Sequence, residues 1–290
     1  MDTASMPLTV WDPPLAKFGF STPACETKAI IFSDSSTNTV GTLTTWTWDF
    51  ADGSPLVVRN NNTPFTHTFA NAGIYNVNLK ITTSNGCVST PIVIPVFVKP
   101  QPHPDFTIPA SVCLPSGFVQ FTNTSTIADG SENAFTYLWD LGDPLSIPNN
   151  TSFAQNPTHI YNTTGPYYVN LQVTSNAGCV DDTMIVLNTI HPQPKAYFLI
   201  NKPSVCIGDD VSFTDSSNGM GGVINQWNWS YGDGLSATGS PVVTHTYGDT
   251  ITYYATLYII NNFGCNSDTT THSFTVYPYP VVNAGPDRRV

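Results

Sequence analysis

The chain has 290 residues, 9 basic and 20 acidic, for a formal net charge of −11, and only 10% of its residues are charged. Excess negative charge repels phosphate backbones and anionic lipid, which excludes nucleic acid as an expected partner. No apolar stretch, including the Pro-interrupted run from Pro91 to Val98, is long enough to cross a bilayer, so direct membrane insertion is not expected.

One stretch occurs three times. Trp46-Thr47-Trp48-Asp49-Phe50-Ala51-Asp52-Gly53 returns as Tyr137-Leu138-Trp139-Asp140-Leu141-Gly142-Asp143-Pro144 and as Trp227-Asn228-Trp229-Ser230-Tyr231-Gly232-Asp233-Gly234. From Trp48 to Trp139 is 91 residues, and from Trp139 to Trp229 is 90. A period that constant predicts three copies of one domain, each large enough to bury its own core. The expected boundaries are 14–100, 101–191 and 192–279, with 1–13 as the end of a preceding repeat and 280–290 as the start of a following one. Residues 1–7 have neither a basic nor an apolar segment of signal-peptide type, so any secretory signal is expected outside this sequence.

The first copy opens with Phe18 and Phe20, reaches Cys25, and continues into a strand, Ala29-Ile30-Ile31-Phe32, that ends in the polar turn Ser33-Asp34-Ser35-Ser36. The same plan gives Phe106, Cys113 and Phe121, then Phe198, Cys206 and Phe213. In the next strand Trp46, Trp48 and Phe50 share one face, the period of two of a half-buried strand, which stops at Asp52-Gly53. A loop of variable length follows. The spacing then becomes rigid: His67, His159 and His245 each precede Tyr75, Tyr167 and Tyr253 by eight residues, and Cys87, Cys179 and Cys265 by twenty. Tyr75, Val77, Leu79 and Ile81 alternate with polar residues, and a Gly before each second cysteine predicts a hairpin turn. The first two copies close on Pro100-Gln101-Pro102 and Pro192-Gln193-Pro194, joints that restrict bending.

Seven or so short alternating strands per copy, frequent turns and no helical period predict an all-β chain of three tandem immunoglobulin-like antiparallel β-sandwiches. Tyr75, Tyr167 and Tyr253 fall where a tyrosine corner is expected. The cysteines come two to a copy, 62, 66 and 59 residues apart, with none left over. That spacing reads as one intradomain disulfide each (Cys25 with Cys87, Cys113 with Cys179, Cys206 with Cys265), stapling one end of each sandwich in an oxidising compartment. Zinc is set aside because no C-x-x-C is present.

The run W-D-F-x-D-G at Trp48–Gly53, the T-H-x-[FY] runs around His67, His159 and His245, and the G-x-Y-x-V-x-L pattern from Gly73 resemble the polycystic-kidney-disease (PKD) domain over residues 14–279. Ala51, Pro144 and Ser230 depart from the pattern. The Asn/Thr-rich, cysteine-containing version is similar to arrays in very long surface proteins of Bacteroidetes, including gliding-motility adhesins exported by type IX secretion. The resemblance implies a non-catalytic, extracellular stalk or adhesive segment whose partners are neighbouring repeats and surface glycans or other cell-surface proteins. The alternative it leaves open is a spacer or carbohydrate-binding module of a secreted hydrolase.

The three histidines invite a catalytic reading, with Asp49 or Asp140 as orienting carboxylate. A His needed in three tandem copies, with Ser230 in place of one Asp, is instead expected to be structural, hydrogen-bonding near the Asp-Gly turn. No G-x-S-x-G, H-E-x-x-H or Gly-rich phosphate loop is present, so no catalytic residue is assigned. Because some PKD domains carry calcium, Asp52, Asp143 and Asp233 are the candidate Ca²⁺ ligands, with Asp34, Asp209, Asp210 and Asp215 in other loops. No D-x-D-x-D-G loop supports them, and no cofactor is expected. Tyr168, Tyr254 and Tyr258, on the polar side of their strands, are expected to contact a neighbouring strand or domain. Asn61, Asn123 and Asn162 head N-glycosylation sequons, and Asp182-Thr183-Met184 and Asp249-Thr250-Ile251 resemble a bacterial O-glycosylation triplet.

Overall fold

The computed structural model describes residues 10–283 and 285. Residues 1–9, 284 and 286–290, which take in most of the expected end of a preceding repeat and about half of the expected start of a following one, lie outside the described residues, and residues 10–13 form no strand.

The first repeat has seven strands: β1 (Phe18–Phe20), β2 (Ile30–Asp34), β3 (Leu43–Asp49), β4 (Val57–Arg59), β5 (Phe65–His67), β6 (Gly73–Thr83) and β7 (Ile92–Val98). They form two sheets, β1-β2-β5 and β4-β3-β6-β7, and all the pairings within them are antiparallel. The period of two in β3 sends Trp46, Trp48 and Phe50 inward, and that in β6 sends Val77, Leu79 and Ile81 to the same interior. Facing them from the other sheet are Phe18, Ile30 and Phe32, with Trp48 set edge-on against Phe18 at 5.0 Å. The second and third repeats rebuild this core around Trp139 and Trp229, whose indole N–H groups, unable to reach water, donate to the Ala154 and Ser240 carbonyls at 2.9 Å.

The tyrosine corner is present in every repeat. The hydroxyls of Tyr75, Tyr167 and Tyr253 donate to the carbonyls of Asn71, Thr163 and Asp249, each four residues upstream, at 2.9, 3.3 and 3.3 Å. Tyr168, Tyr254 and Tyr258, expected to be covered, are exposed on the outer face of the corresponding strands. The pleat that buries Tyr167 and Tyr253 turns their neighbours to solvent, and among the described residues no second layer lies over that face.

The strand that matters most for the rest of the molecule is β6. Its 11 residues span roughly 33 Å, so they define two poles of the sandwich. At one pole, β6 begins beside the end of β7, with Gly73 paired to Val98, and Cys25 bridges the next residue, Lys99. At the other pole β6 ends at Thr83, whose N–H donates to the Cys87 carbonyl across the Gly86 turn. Cys113 beside His191 and Cys206 beside Tyr277 mark the first pole in the later repeats, and Cys179 and Cys265 mark the second.

The turn after β3 places a residue at positive φ in each repeat. Gly142 and Gly232 occupy it at φ 72° and 85°, and a Cβ on either would lie 2.6 Å from the carbonyl oxygen of Tyr168 or Tyr254. The first repeat has Ala51 there at φ 56°. A left-handed conformation costs a non-glycine residue about 1 kcal/mol. Ala51→Gly is therefore expected to stabilise the first repeat by about 1 kcal/mol, read as a rise in its denaturant midpoint, while Gly142→Ala destabilises the second.

Candidate functional site

The two-pole geometry decides the cysteine pairing. Cys25 and Cys87 sit at opposite ends of β6, far beyond the Cα separation of about 7 Å that a disulfide tolerates. The expected intradomain bridges Cys25–Cys87, Cys113–Cys179 and Cys206–Cys265 do not form. Instead Cys25 of the first repeat joins Cys179 of the second, with Cα atoms 5.8 Å apart, and Cys113 of the second joins Cys265 of the third at 5.4 Å. Cys87 and Cys206 are free. The physical reason is that one repeat's exit pole, where its Pro-Gln-Pro joint begins, meets the hairpin pole of the next. Two cysteines that cannot reach within a domain thus meet across the joint.

Each bridge is embedded in a seam of polar and aromatic contacts. At the first, Lys28 Nζ lies 3.1 Å from Asp181 Oδ1, and the Gln101 side chain, almost wholly buried, donates to the Val180 carbonyl. At the second, the His191 ring stacks on Phe263 at 3.7 Å with planes 2° apart, Ser111 Oγ donates to the Phe263 carbonyl at 2.7 Å, and Gln193 Nε2 donates to Asp268 Oδ1 at 3.1 Å. Gln101 and Gln193 are the middle residues of the Pro-Gln-Pro joints, so the joints contribute binding groups as well as stiffness. Lys28, Asp181, His191, Phe263 and Asp268 are seam residues that no sequence motif marks. The recurrence of Gln between two prolines was the available signal. The spacing of the cysteines carried none, since separations of 154 and 152 for the true pairs are as regular as 62, 66 and 59.

The histidines form a second recurring arrangement. His67 Nε2 lies 2.7 Å from Asp52 Oδ2, His159 Nε2 3.1 Å from Asp143 Oδ2, and His245 Nε2 2.6 Å from Asp233 Oδ2. The partner is thus not Asp49 or Asp140. Those carboxylates accept the N–H groups of Ala51 and Gly142 at 2.9 and 3.0 Å and shape the turn itself. The imidazole of His67 stacks on Phe50 at 3.6 Å and that of His245 on Tyr231 at 4.1 Å, and all three rings meet the aromatic two residues on, Phe69, Tyr161 or Tyr247, edge-on. Each dyad therefore ties the Asp turn of one sheet to the fifth strand of the other. No serine or cysteine side chain hydrogen-bonds any of the three rings among the described residues, so the pairs lack the nucleophile of a hydrolytic triad.

The candidate calcium ligands Asp52, Asp143 and Asp233 are these histidine partners. Among the described residues no three or more His, Cys, Asp or Glu side chains group closely enough to hold a metal ion. Burial alone would raise the Asp52 pKa, but the side chain of Ser54, His67 and the Ser54 N–H together hold its carboxyl below the usual range. Asp233 is likewise pushed up by burial and brought lower overall by His245 and the Leu235 N–H. A depressed carboxyl stabilises the fold fully above its unfolded pKa of about 3.9 and loses that contribution as pH falls through the folded value. Asp52→Asn is accordingly expected to lower stability by about 1 kcal/mol near neutrality, with the gap to wild type closing below about pH 4 in acid-unfolding curves. A gap that persists unchanged at the lowest pH would assign the effect to something other than the carboxylate charge.

A family profile described as the PKD domain matches three times, at residues 11–98, 99–189 and 191–276. Human polycystin-1 is 23% identical over 206 residues, covering 70% of this chain and 4% of polycystin-1, so the chain spans only a small part of that relative's length. Among solved structures, the PKD1 domain of the Vibrio cholerae metalloprotease PrtV is 25% identical, covers 29% of this chain and 96% of its own, and superposes with a TM-score of 0.26. Three N-terminal domains of the bacteriophage RB49 outer capsid protein Hoc are 14% identical over 92% of this chain and 99% of theirs, with a TM-score of 0.43. The three profile matches together span residues 11–276, so the chain belongs to the PKD domain family and carries three of these domains in tandem.

Proposed function

We propose that the chain is a non-catalytic, load-transmitting stalk segment of a secreted cell-surface protein of the adhesin type, of the kind used in gliding motility. The observation that carries this reading is the placement of the disulfides. A bridge within a domain protects that domain, whereas a bridge between domains fixes one neighbour to the next, which is what a spacer that must hold its length requires. Disulfides persist in oxidising compartments, which supports an extracellular setting. The formal charge of −11 spread over three domains keeps such a segment soluble without steering it to nucleic acid.

The mechanical consequence follows from connectivity. Cys113 lies inside the loop closed by Cys25–Cys179, and Cys179 lies inside the loop closed by Cys113–Cys265, so the two loops interlock. The shortest covalent route from residue 14 to residue 279 enters at Cys25, crosses to Cys179, runs back to Cys113, crosses to Cys265 and leaves. It contains about 90 residues, which at ~3.5 Å each extend to roughly 320 Å. Without the bridges the same ends separate to roughly 930 Å. Single-molecule pulling from the two ends is therefore expected to give a fully unfolded contour about threefold shorter under oxidising conditions than after reduction. Equal contours in the two conditions would overturn the stalk mechanism.

A further inference from the structure

Cys87 and Cys206 are the two cysteines that the internal bridges leave over, and they are not equivalent to each other. Cys206 stands at the exit pole of the third repeat, paired to Tyr277 as Cys25 is to Lys99 and Cys113 is to His191. Cys87 stands at the hairpin pole of the first repeat, where its carbonyl accepts the Thr83 N–H as those of Cys179 and Cys265 accept the Ser175 and Asn261 N–H groups. At both internal seams an exit-pole cysteine is bonded to a hairpin-pole cysteine. The free pair therefore comprises one of each kind. Both remain partly exposed, as the bonded Cys113 does, whereas Cys25, Cys179 and Cys265 are buried.

The surroundings of the free cysteines match this assignment independently. Tyr277 and Tyr279 occupy the positions of His191 and Gln193, the residues that reach across the second seam, and in the third repeat they are 55% and 57% exposed. Tyr277 thus presents an uncovered ring where His191 stacks on the turn of the next domain. Charge offers no obstacle. Asp209 stands three residues after Cys206, where Lys28 stands after Cys25, and the positions facing it from a first-repeat hairpin are Ser89 and Thr90 rather than the Asp181 and Asp182 of the second repeat. An acidic exit pole would meet a neutral hairpin pole.

We propose that Cys206 and Cys87 are the complementary halves of a third seam, through which the chain joins covalently, exit pole to hairpin pole, with a PKD repeat that carries the missing half, here a second copy of itself. In the bond-forming step the Cys206 thiol and the Cys87 thiol of the second copy lose two protons and two electrons as the S–S bond forms. A low-molecular-weight disulfide such as oxidised glutathione accepts them and leaves as two thiols, by way of a mixed disulfide on one cysteine that the thiolate of the other displaces. Because the contact is heterologous, each wild-type chain can add another head to tail.

This inference rests on the seam geometry and not on the stalk reading, and its test is separate from pulling. The Cys87→Ser and Cys206→Ser variants each keep both internal bridges. Incubated in a buffer of oxidised and reduced glutathione, a mixture of the two is expected to yield a disulfide-linked dimer at least roughly tenfold in excess of either variant alone. Peptide mapping is expected to find Cys206 joined to Cys87, with Cys25–Cys179 and Cys113–Cys265 intact. Wild-type protein under the same conditions is expected to give a ladder of oligomers on non-reducing gels. Equal dimer formation by the separate variants, or monomers capped only with glutathione, would overturn it. So would a Tyr277→Ser change on the Cys87→Ser chain that leaves the dimerisation rate untouched, since a collision-limited thiol pairing needs no seam.

Discussion

The length of β6 is the constraint on which the rest of the molecule depends. A strand of 11 residues holds the exit pole and the hairpin pole of a sandwich roughly 33 Å apart, and a disulfide reaches less than a quarter of that distance. Once the first cysteine is tied to the end of β7 and the second to the end of β6, neither meets its neighbour in the same domain. The stability of each repeat must then come from its own packing. Trp48, Trp139 and Trp229, each at most 2% exposed, sit at the centre of cores of fourteen or fifteen buried residues. Burial of that extent holds domains of about 90 residues without covalent help.

The fold was legible in the sequence because its signals are local. Alternation at Tyr75, Val77, Leu79 and Ile81 fixes which face is buried, and a one-residue slip would turn all four to solvent. The Trp-x-Trp period does the same for β3, and the eight-residue interval from His to Tyr sets the corner. The disulfide pairing was not legible, because a repeat makes every cysteine separation regular and spacing carries no information about which pole a side chain occupies. The exposure of Tyr254 and Tyr258 was missed for a related reason. The pleat says which side of the sheet a residue is on, but not whether another layer covers that side.

The histidines illustrate a partial reading. Their fixed position relative to Tyr and Cys implied a shared structural role near the Asp-Gly turn, and only the catalytic reading set aside there called on the Asp of the Trp-Asp pair. The structure uses the later Asp instead, the one present in all three copies as Asp52, Asp143 and Asp233. Asp49 and Asp140 fold back on their own turn, at the position where the third repeat has Ser230. The loss of one acid and the retention of the other separate a turn-shaping carboxylate from one that crosses between sheets. In the second repeat, where Leu141 replaces the stacking aromatic, the dyad is also the most buried.

Two covalent connections between neighbours change the freedom of a joint in kind. A single linker such as Pro100-Gln101-Pro102, however stiff, leaves the next domain free to swing and to rotate about it. A disulfide attached elsewhere on the same two surfaces leaves one axis, the line through linker and bridge. The Lys28–Asp181 pair at the first seam, and the His191–Phe263 stack at the second, add a non-covalent contact beside each bridge. The two seams reach the same restraint with different chemistry, an ion pair in one and a stacked ring in the other. What recurs from joint to joint is the count of attachments, and it is this count, rather than the identity of any contact, that limits how one separately folded domain can move against the next.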